Sequence, residues 1–323
     1  MQANNSQLYT LGIDIGGTKI ETALVDASGV ILVSHYQLIN PDRSPVRAIQ
    51  NILDSVQICY RESGKIAFAA GIGVAGQIDK IHGMVKSSPN LPDWKNVALG
   101  AELHAGLGIP VSVNNDVRMI TWGEWRHGSG IGANDLVCLF LGTGAGGGVV
   151  SGGNLLEGHD NTAGELGHMT IVAGGRQCHC PNQGCLEAYC GGWAIAERAQ
   201  DAARANPEAG KTLIKLAGNL ENITAITVSQ AYAKGDFLAM SLVKDTARYL
   251  AAGMVSIVNA FNPQLIILGG SVIQGIPDLV VIAEKHLRTM ALPTPLNDLR
   301  ISSAALGNQA GVIGAAALAR RLI

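Results

Sequence analysis

Two glycine-rich turns, each set between apolar strands, constrain the fold of this chain more than any other feature. The first lies in LGIDIGGTKIETALV over residues 11–25 and the second in LVCLFLGTGAGGGVV over 136–150. In each, an apolar or β-branched run of strand length enters a turn almost free of side chains, and a second run leaves it. One such turn reads as a plain hairpin. Two in matched surroundings mark an internally duplicated chain, and bare turns let backbone N–H groups approach phosphate oxygens. Thr18 and Thr143 add hydroxyl donors, Lys19 adds a positive charge, and Asp14 is a carboxylate able to hold Mg2+ through water.

The remaining patterns fill in an α/β chain. A helix is expected over 45–62, a buried strand from Ile66 to Val74, a short helix from Val97 to Leu107 and a strand over 111–113 that ends at Asn114, Asn115 and Asp116. Later segments turn helical, with a long periodic stretch from Phe237 to Phe261 stopped by Asn262 and Pro263, then the strand LIILGG and terminal helices. The last helix, 308–322, is rich in Ala and Gly and is expected to pack closely on a neighbour. Residues 71–76 and 142–147 both satisfy G-x-G-x-x-G, but neither opens a helix, so the helix N-terminus that would hold a dinucleotide's pyrophosphate is missing. No P-loop sequence occurs. A two-lobed α/β fold with a cleft is the economical reading.

Composition restricts the partners. The 323 residues carry 23 Lys and Arg against 25 acidic residues, without a basic block, so no electrostatic footprint for nucleic acid or an anionic membrane is present. Small molecules are the expected partners. The start MQANNSQLYT lacks the basic and apolar regions of a signal peptide, and the apolar runs are strand-sized, which points to the cytoplasm. Cys59, Cys138 and Cys190 are scattered, whereas Cys178, Cys180 and Cys185 crowd into eight positions with His168 upstream. That spacing favours a soft metal over disulfides. Glu165 and Glu187 flank the cluster, and Glu165 and His168 share a face if their segment is helical. Asp116 alone reads equally as the cap of a helix beginning near Val117 or as an acid–base group.

Taken together, DIGGTKI at 14–20, GVAGQID at 73–79, SSPNLPDW at 87–94, NND at 114–116, LGTGAGGG at 141–148, EGHDNTAGELGH at 157–168, CHCPNQGCLE at 178–187 and NPQLIILGG at 262–270 resemble the ROK family of repressors, open reading frames and sugar kinases. The resemblance covers nearly the whole chain. It implies the α/β, two-lobed, actin-like (ribonuclease-H-like) ATPase fold with duplicated domains and an interlobe cleft. The expected division is a small domain of 1–117 with 305–323 and a large domain of 118–304 that carries the zinc segment.

The family's roles, carried over to matching positions, make Asp116 the general base and Gly76, Asn90, Asn115, Asp116, Glu165, His168 and Glu187 the hexose contacts. ATP is expected at Asp14, Gly16, Gly17, Thr18, Lys19, Gly142, Thr143 and Gly144, with Gly269 and Gly270 on the adenosine side. Structural zinc is expected on His168, Cys178, Cys180 and Cys185, in a closed site that fixes the imidazole's orientation. Pro181 departs from the Gly that many members place after the second cysteine, which predicts an altered loop and retained metal, and His179 is expected to be exposed. The implied activity is ATP- and magnesium-dependent phosphorylation of a hexose at its 6-hydroxyl, glucose first, in a homodimer or homotetramer. An N-acetylmannosamine or N-acetylglucosamine kinase is the alternative within the family. A DNA-binding member would need a further module, and 13 residues precede Asp14; a non-catalytic sugar sensor is disfavoured by intact Asp14, Asp116 and glycine turns.

Overall fold

A computed structural model describes residues 8–40 and 43–323. Residues 1–7, which hold most of the N-terminus read above as lacking a signal, lie outside the described part, as do residues 41 and 42. The chain divides into two compact units, one comprising the described residues up to Ala133 with Leu155–Gly164 and Ala304–Ile323, the other Asn134–Asn154 with Glu165–Ser303. The division expected at 117/118 differs from this in the placement of 118–133 and 155–164, because the helix that starts at Asp116 packs within the first unit.

In the first unit, β1 (Thr10–Ile15), β2 (Lys19–Val25), β3 (Ile31–Leu38), β4 (Ala69–Val74) and β7 (Val111–Asn115) form a five-stranded sheet ordered β3-β2-β1-β4-β7. The hairpin of β5 (Gln77–Asp79) and β6 (Met84–Ser87) stands apart from it. β1 runs antiparallel to β2 and parallel to β4, and β4 runs parallel to β7. Helices α1 (Pro45–Ser63), α2 (Leu99–Leu107) and α3 (Asp116–His127) accompany the sheet. Its core gathers Leu11, Ile13, Ile72 and Val74 from the strands with Ile52, Val56, Leu99 and Leu103 from the helices, all essentially inaccessible.

Two element edges differ from the sequence reading. The strand expected from Ile66 begins at Ala69: Gly64 ends α1 in the left-handed conformation, and Ile66 and Phe68 remain exposed in the link that follows. The helix expected from Val97 begins at Leu99 because Val97 pairs with Val85 as an isolated bridge.

The second unit repeats the plan. β8 (Leu136–Leu141), β9 (Ala145–Ser151), β10 (Asn154–Leu155), β11 (Leu265–Gly269) and β12 (Arg300–Ser303) are ordered β10-β9-β8-β11-β12, with β8 antiparallel to β9 and parallel to β11. The duplication inferred from two turns is therefore a duplication of sheet topology. Helices α4 (Glu187–Cys190), α5 (Gly192–Ala205), α6 (Lys211–Ala217), α7 (Ala225–Ala233), α8 (Phe237–Phe261), α9 (Ser271–Gly275), α10 (Asp278–Met290) and α11 (Pro293–Leu296) complete the unit. α8 starts at Asp236, whose carboxylate accepts from the Ala239 N–H, and stops at left-handed Asn262, as its Asn-Pro ending requires.

The chain returns to the first unit in α12 (Ala310–Ala319), every residue of which is buried. Glycines let it approach that closely. A Cβ on Gly12 would stand 1.8 Å from the Val312 carbonyl oxygen, and one on Gly314 1.8 Å from that of Met119. The Ala and Gly content of the last helix is thus the requirement of packing directly on the backbones of β1 and α3.

Candidate active site

Three parallel strands of the first unit deliver its candidate residues to one sheet edge. In register, Asp14 of β1 lies beside Gly73 of β4, and Gly73 lies beside Asn114 of β7. The carboxyl ends of these strands therefore carry Asp14, the Gly76 turn, and Asn115 with Asp116, the end of a parallel sheet where ligands are generally held. Gly76 has φ +127°, and a Cβ there would meet the Ser87 oxygen at 2.1 Å, so its place in GVAGQID demands glycine. Its carbonyl accepts from the Asn115 side-chain amide at 3.4 Å. Asn90 packs over Gly17, where an added Cβ would be 3.2 Å from that of Asn90, and the Asn90 carbonyl accepts from Arg43 at 3.0 Å.

Asn115, not Asp116, is the N-cap of α3: its Oδ1 accepts from the N–H groups of Val117 and Arg118 at 3.0 and 3.3 Å. The cap reading of Asp116 is thereby taken over by its neighbour. Asp116 occupies the first helical turn, half-buried, where the helix dipole favours a negative charge. Asp14 sits where burial pushes its carboxyl up to about 7; the charge of Asp116 pushes the same way and Lys19 opposes it. Lys19 itself is exposed and pairs with Glu21 at 3.2 Å.

The loop 157–164 belongs to this unit. Arg118 donates from Nε to the Ala163 carbonyl at 3.0 Å and from Nη1 to the Asn161 carbonyl. Asn161 is buried and left-handed at φ +62°, and its amide donates to Asn114 Oδ1 at 3.2 Å. Sequence reasoning singled out neither Arg118 nor Asn161; an asparagine, a residue that tolerates the left-handed conformation, in the polar turn GHDNTAG was the available signal.

In the second unit, the turn at 142–144 follows β8 and Gly270 follows β11, the strand adjacent to β8. Gly270 has φ +92°, and a Cβ there would stand 2.3 Å from the Leu141 oxygen, so the two turns touch through bare backbone. The Ala145 N–H donates to Glu187 Oε2 at 2.8 Å, and Trp193 donates to Glu187 Oε1 at 3.3 Å. Ala225, Ile226, Ser229, Val272 and Ile276 line a mostly apolar recess beside Gly270 and Ser271.

His168, Cys178, Cys180 and Cys185 converge, with ligand atoms all within 4.8 Å of one another. Cys180 Sγ lies 3.6 Å from Cys185 Sγ, and Cys178 Sγ 3.7 Å from His168 Nδ1. Sulfurs at about 2.3 Å from a tetrahedral ion are about 3.8 Å apart, so the donors fit a zinc ion in both chemistry and spacing. Burial pushes the Cys178 thiol up to about 12, and a cation would offset the cost of gathering thiolates here. Pro181 leaves the cluster intact, and His179 is exposed and outside it, as expected. Glu165 and His168 do not lie on an α-helix: residues Leu166–His168 form a single 3-10 turn with Glu165 at its start. Two residues missed in sequence support the loop. Gln177 donates to the carbonyls of Cys178 and Cys180, and Asn182 donates to Cys185 Sγ at 3.4 Å.

Paired α/β units with one sheet order, each bearing a glycine turn after its first strand, define the actin-like ATPase fold. The chain belongs to the ROK family, whose model matches residues 10–322. It is 36% identical to a glucokinase of Streptomyces coelicolor over 316 residues, covering 96% of this chain and 97% of that one. The crystal structure of a ROK family glucokinase from Streptomyces griseus in complex with glucose and AMPPNP superposes with a TM-score of 0.82 at 34% identity, covering 97% of this chain and 99% of the other. The transcriptional repressor Mlc of Escherichia coli is 28% identical over 310 residues, 95% of this chain and 75% of the repressor.

Proposed function

We propose that this protein is an ATP-dependent sugar kinase that phosphorylates a hexose at the 6-hydroxyl, glucose before other sugars. The reading is supported most strongly by one arrangement: Asp14, the Gly76 turn and Asn115–Asp116 share one edge of β1, β4 and β7, in a chain akin to glucokinases over nearly its full length. Asp116 accepts the proton of the 6-hydroxyl as that oxygen attacks the γ-phosphorus of ATP. The bond from that phosphorus to the β,γ-bridging oxygen breaks, and ADP leaves. A carboxylate of ordinary basicity suffices, since phosphoryl transfer passes through a loose transition state in which alignment outweighs early proton removal.

Asn90, Asn115, Glu165, His168 and Glu187 hold the sugar hydroxyls, and the two glycine turns hold the triphosphate. The adenine ring lies in the apolar recess beside Gly270. Asp14 would hold Mg2+ through water, which would supply neutralisation of the developing phosphate charge, and His168 with the three cysteines would hold a zinc ion, which would fix the imidazole's orientation. Among the described residues no helix is long and apolar enough to cross a membrane. A cytoplasmic oligomer at the entry to glycolysis fits this chemistry.

The alternative, an N-acetylmannosamine or N-acetylglucosamine kinase, uses the same base and turns and differs in room around the C2 substituent. A coupled ADP-release assay with purified protein across these sugars tests the reading. The expected result is a kcat/KM for glucose at least about tenfold above either N-acetylhexosamine. No turnover of millimolar glucose would contradict it.

A further inference from the structure

Trp193 opens α5 and meets three separate parts of the second unit. Its backbone N–H donates to the Thr143 carbonyl at 3.1 Å, next to the Gly192 N–H on the Gly142 carbonyl at 2.9 Å, which fastens the start of the helix to the glycine turn. Its indole Nε1–H donates to Glu187 Oε1 at 3.3 Å. Its ring stacks on the imidazole of His179, with centroids 3.9 Å apart and planes 18° from parallel, and His179 is the residue between Cys178 and Cys180. The other oxygen of Glu187 accepts from the Ala145 N–H at 2.8 Å. Little slack surrounds the carboxylate, since a Cβ on Gly144 would stand 2.5 Å from Oε2 and one on Gly191 3.1 Å from Glu187 Cγ. One N–H donor on each oxygen fixes the plane of the group and leaves lone pairs for a ligand hydroxyl.

We propose that Trp193 is a positioning residue that aims the Glu187 carboxylate at the hexose, and that the His179 stack ties this aim to the cysteine loop. The inference rests on the reading of Glu187 as a sugar contact. Without the indole N–H, the Ala145 N–H is the remaining N–H donor of the two, and the carboxylate plane can turn about it; the Cys178 sulfur, 3.9 Å from Oε1, has no proton to donate when it ligates a metal. The contacts of the two rings are with Glu187 and with one another, so the expected loss falls on sugar binding and leaves the chemical step alone.

The test uses full-length W193F, which keeps an aromatic ring against His179 but deletes the donor; H179A, which keeps the donor and deletes the stack; E187Q; and the W193F/E187Q double variant. Glucose KM and kcat are measured at saturating MgATP, glucose Kd is measured by calorimetry without nucleotide, and folding is checked by circular dichroism. W193F is expected to raise KM and Kd about tenfold with kcat within about twofold, as for loss of a hydrogen bond to a charged group. H179A is expected to raise them about threefold, and it carries the test if W193F does not fold. In the E187Q background W193F adds less than about twofold, because residues acting through one another are not additive. An unchanged KM in the folded single variants, effects that multiply in the double variant, or a loss confined to kcat would overturn the assignment. A wild-type protein that neither binds nor phosphorylates a hexose is a separate result, overturning the proposed function and this inference together.

Discussion

Asp14 carries the conflict between stability and chemistry at the scale of a single residue. Its carboxyl is pushed up to about 7 from 3.8 by burial and then by the neighbouring charge of Asp116. The folded state therefore holds a proton that the unfolded chain releases, and the stability tied to that proton is complete below about 4 and lost as pH rises through about 7. Asp14→Asn removes the penalty. Thermal melts of the metal-free protein should show the variant gaining about 2–4 °C over the wild type at pH 7.5 and almost nothing at about pH 4, while its kinase activity collapses; a gap that does not grow with pH would contradict the burial argument. The position was legible in sequence from the turn DIGGTKI, but its environment was not. A Cβ on Gly311 of α12 would come within 2.7 Å of Asp14 Oδ2, a contact between residues almost three hundred positions apart that no local pattern encodes.

Among the elements, α12 and the cysteine loop were read with different success, for physical reasons. The helix was legible as a close packer, since only a backbone contact calls for so many small residues, yet its partners depend on topology. Gly314 meets α3 at the Met119 carbonyl, and Gly123 of α3 would bring a Cβ within 2.9 Å of the Ala310 oxygen. Gly314→Ala should lower unfolding free energy by more than about 2 kcal/mol, as overpacking against rigid backbone does, and urea titration measures it; an unchanged midpoint would show that α12 can shift.

The convergence of the cysteine loop was legible because thiol spacing is a local property, whereas the helical reading of Glu165–His168 failed because a short glycine-rich stretch tightened into a 3-10 turn. Elemental analysis is expected to find one zinc per wild-type chain and a substoichiometric amount in Cys178→Ser, with a raised hexose KM in the variant. Full zinc occupancy in Cys178→Ser would remove that cysteine from the ligand set.

For the whole molecule, the duplicated sheet order explains why so much of the candidate site lay in two short turns. Each repeat places a glycine turn after its first strand and a second glycine or polar turn after the adjacent parallel strand, so one local motif, seen twice, fixes the site's position in both units. Of the residues that escaped detection, Arg118, Asn161 and Trp193 make contacts to parts of the chain distant in sequence, while Gln177 holds the nearby carbonyls of Cys178 and Cys180. Asp116 belongs to the first unit, and His168 and Glu187 belong to the second.

Asp116→Asn, assayed for glucose phosphorylation and for glucose Kd by calorimetry, tests the central claim most directly. A kcat lowered at least about a hundredfold with Kd within about tenfold of the wild type is the expected result, and a folded variant that turns over at the wild-type rate would contradict it.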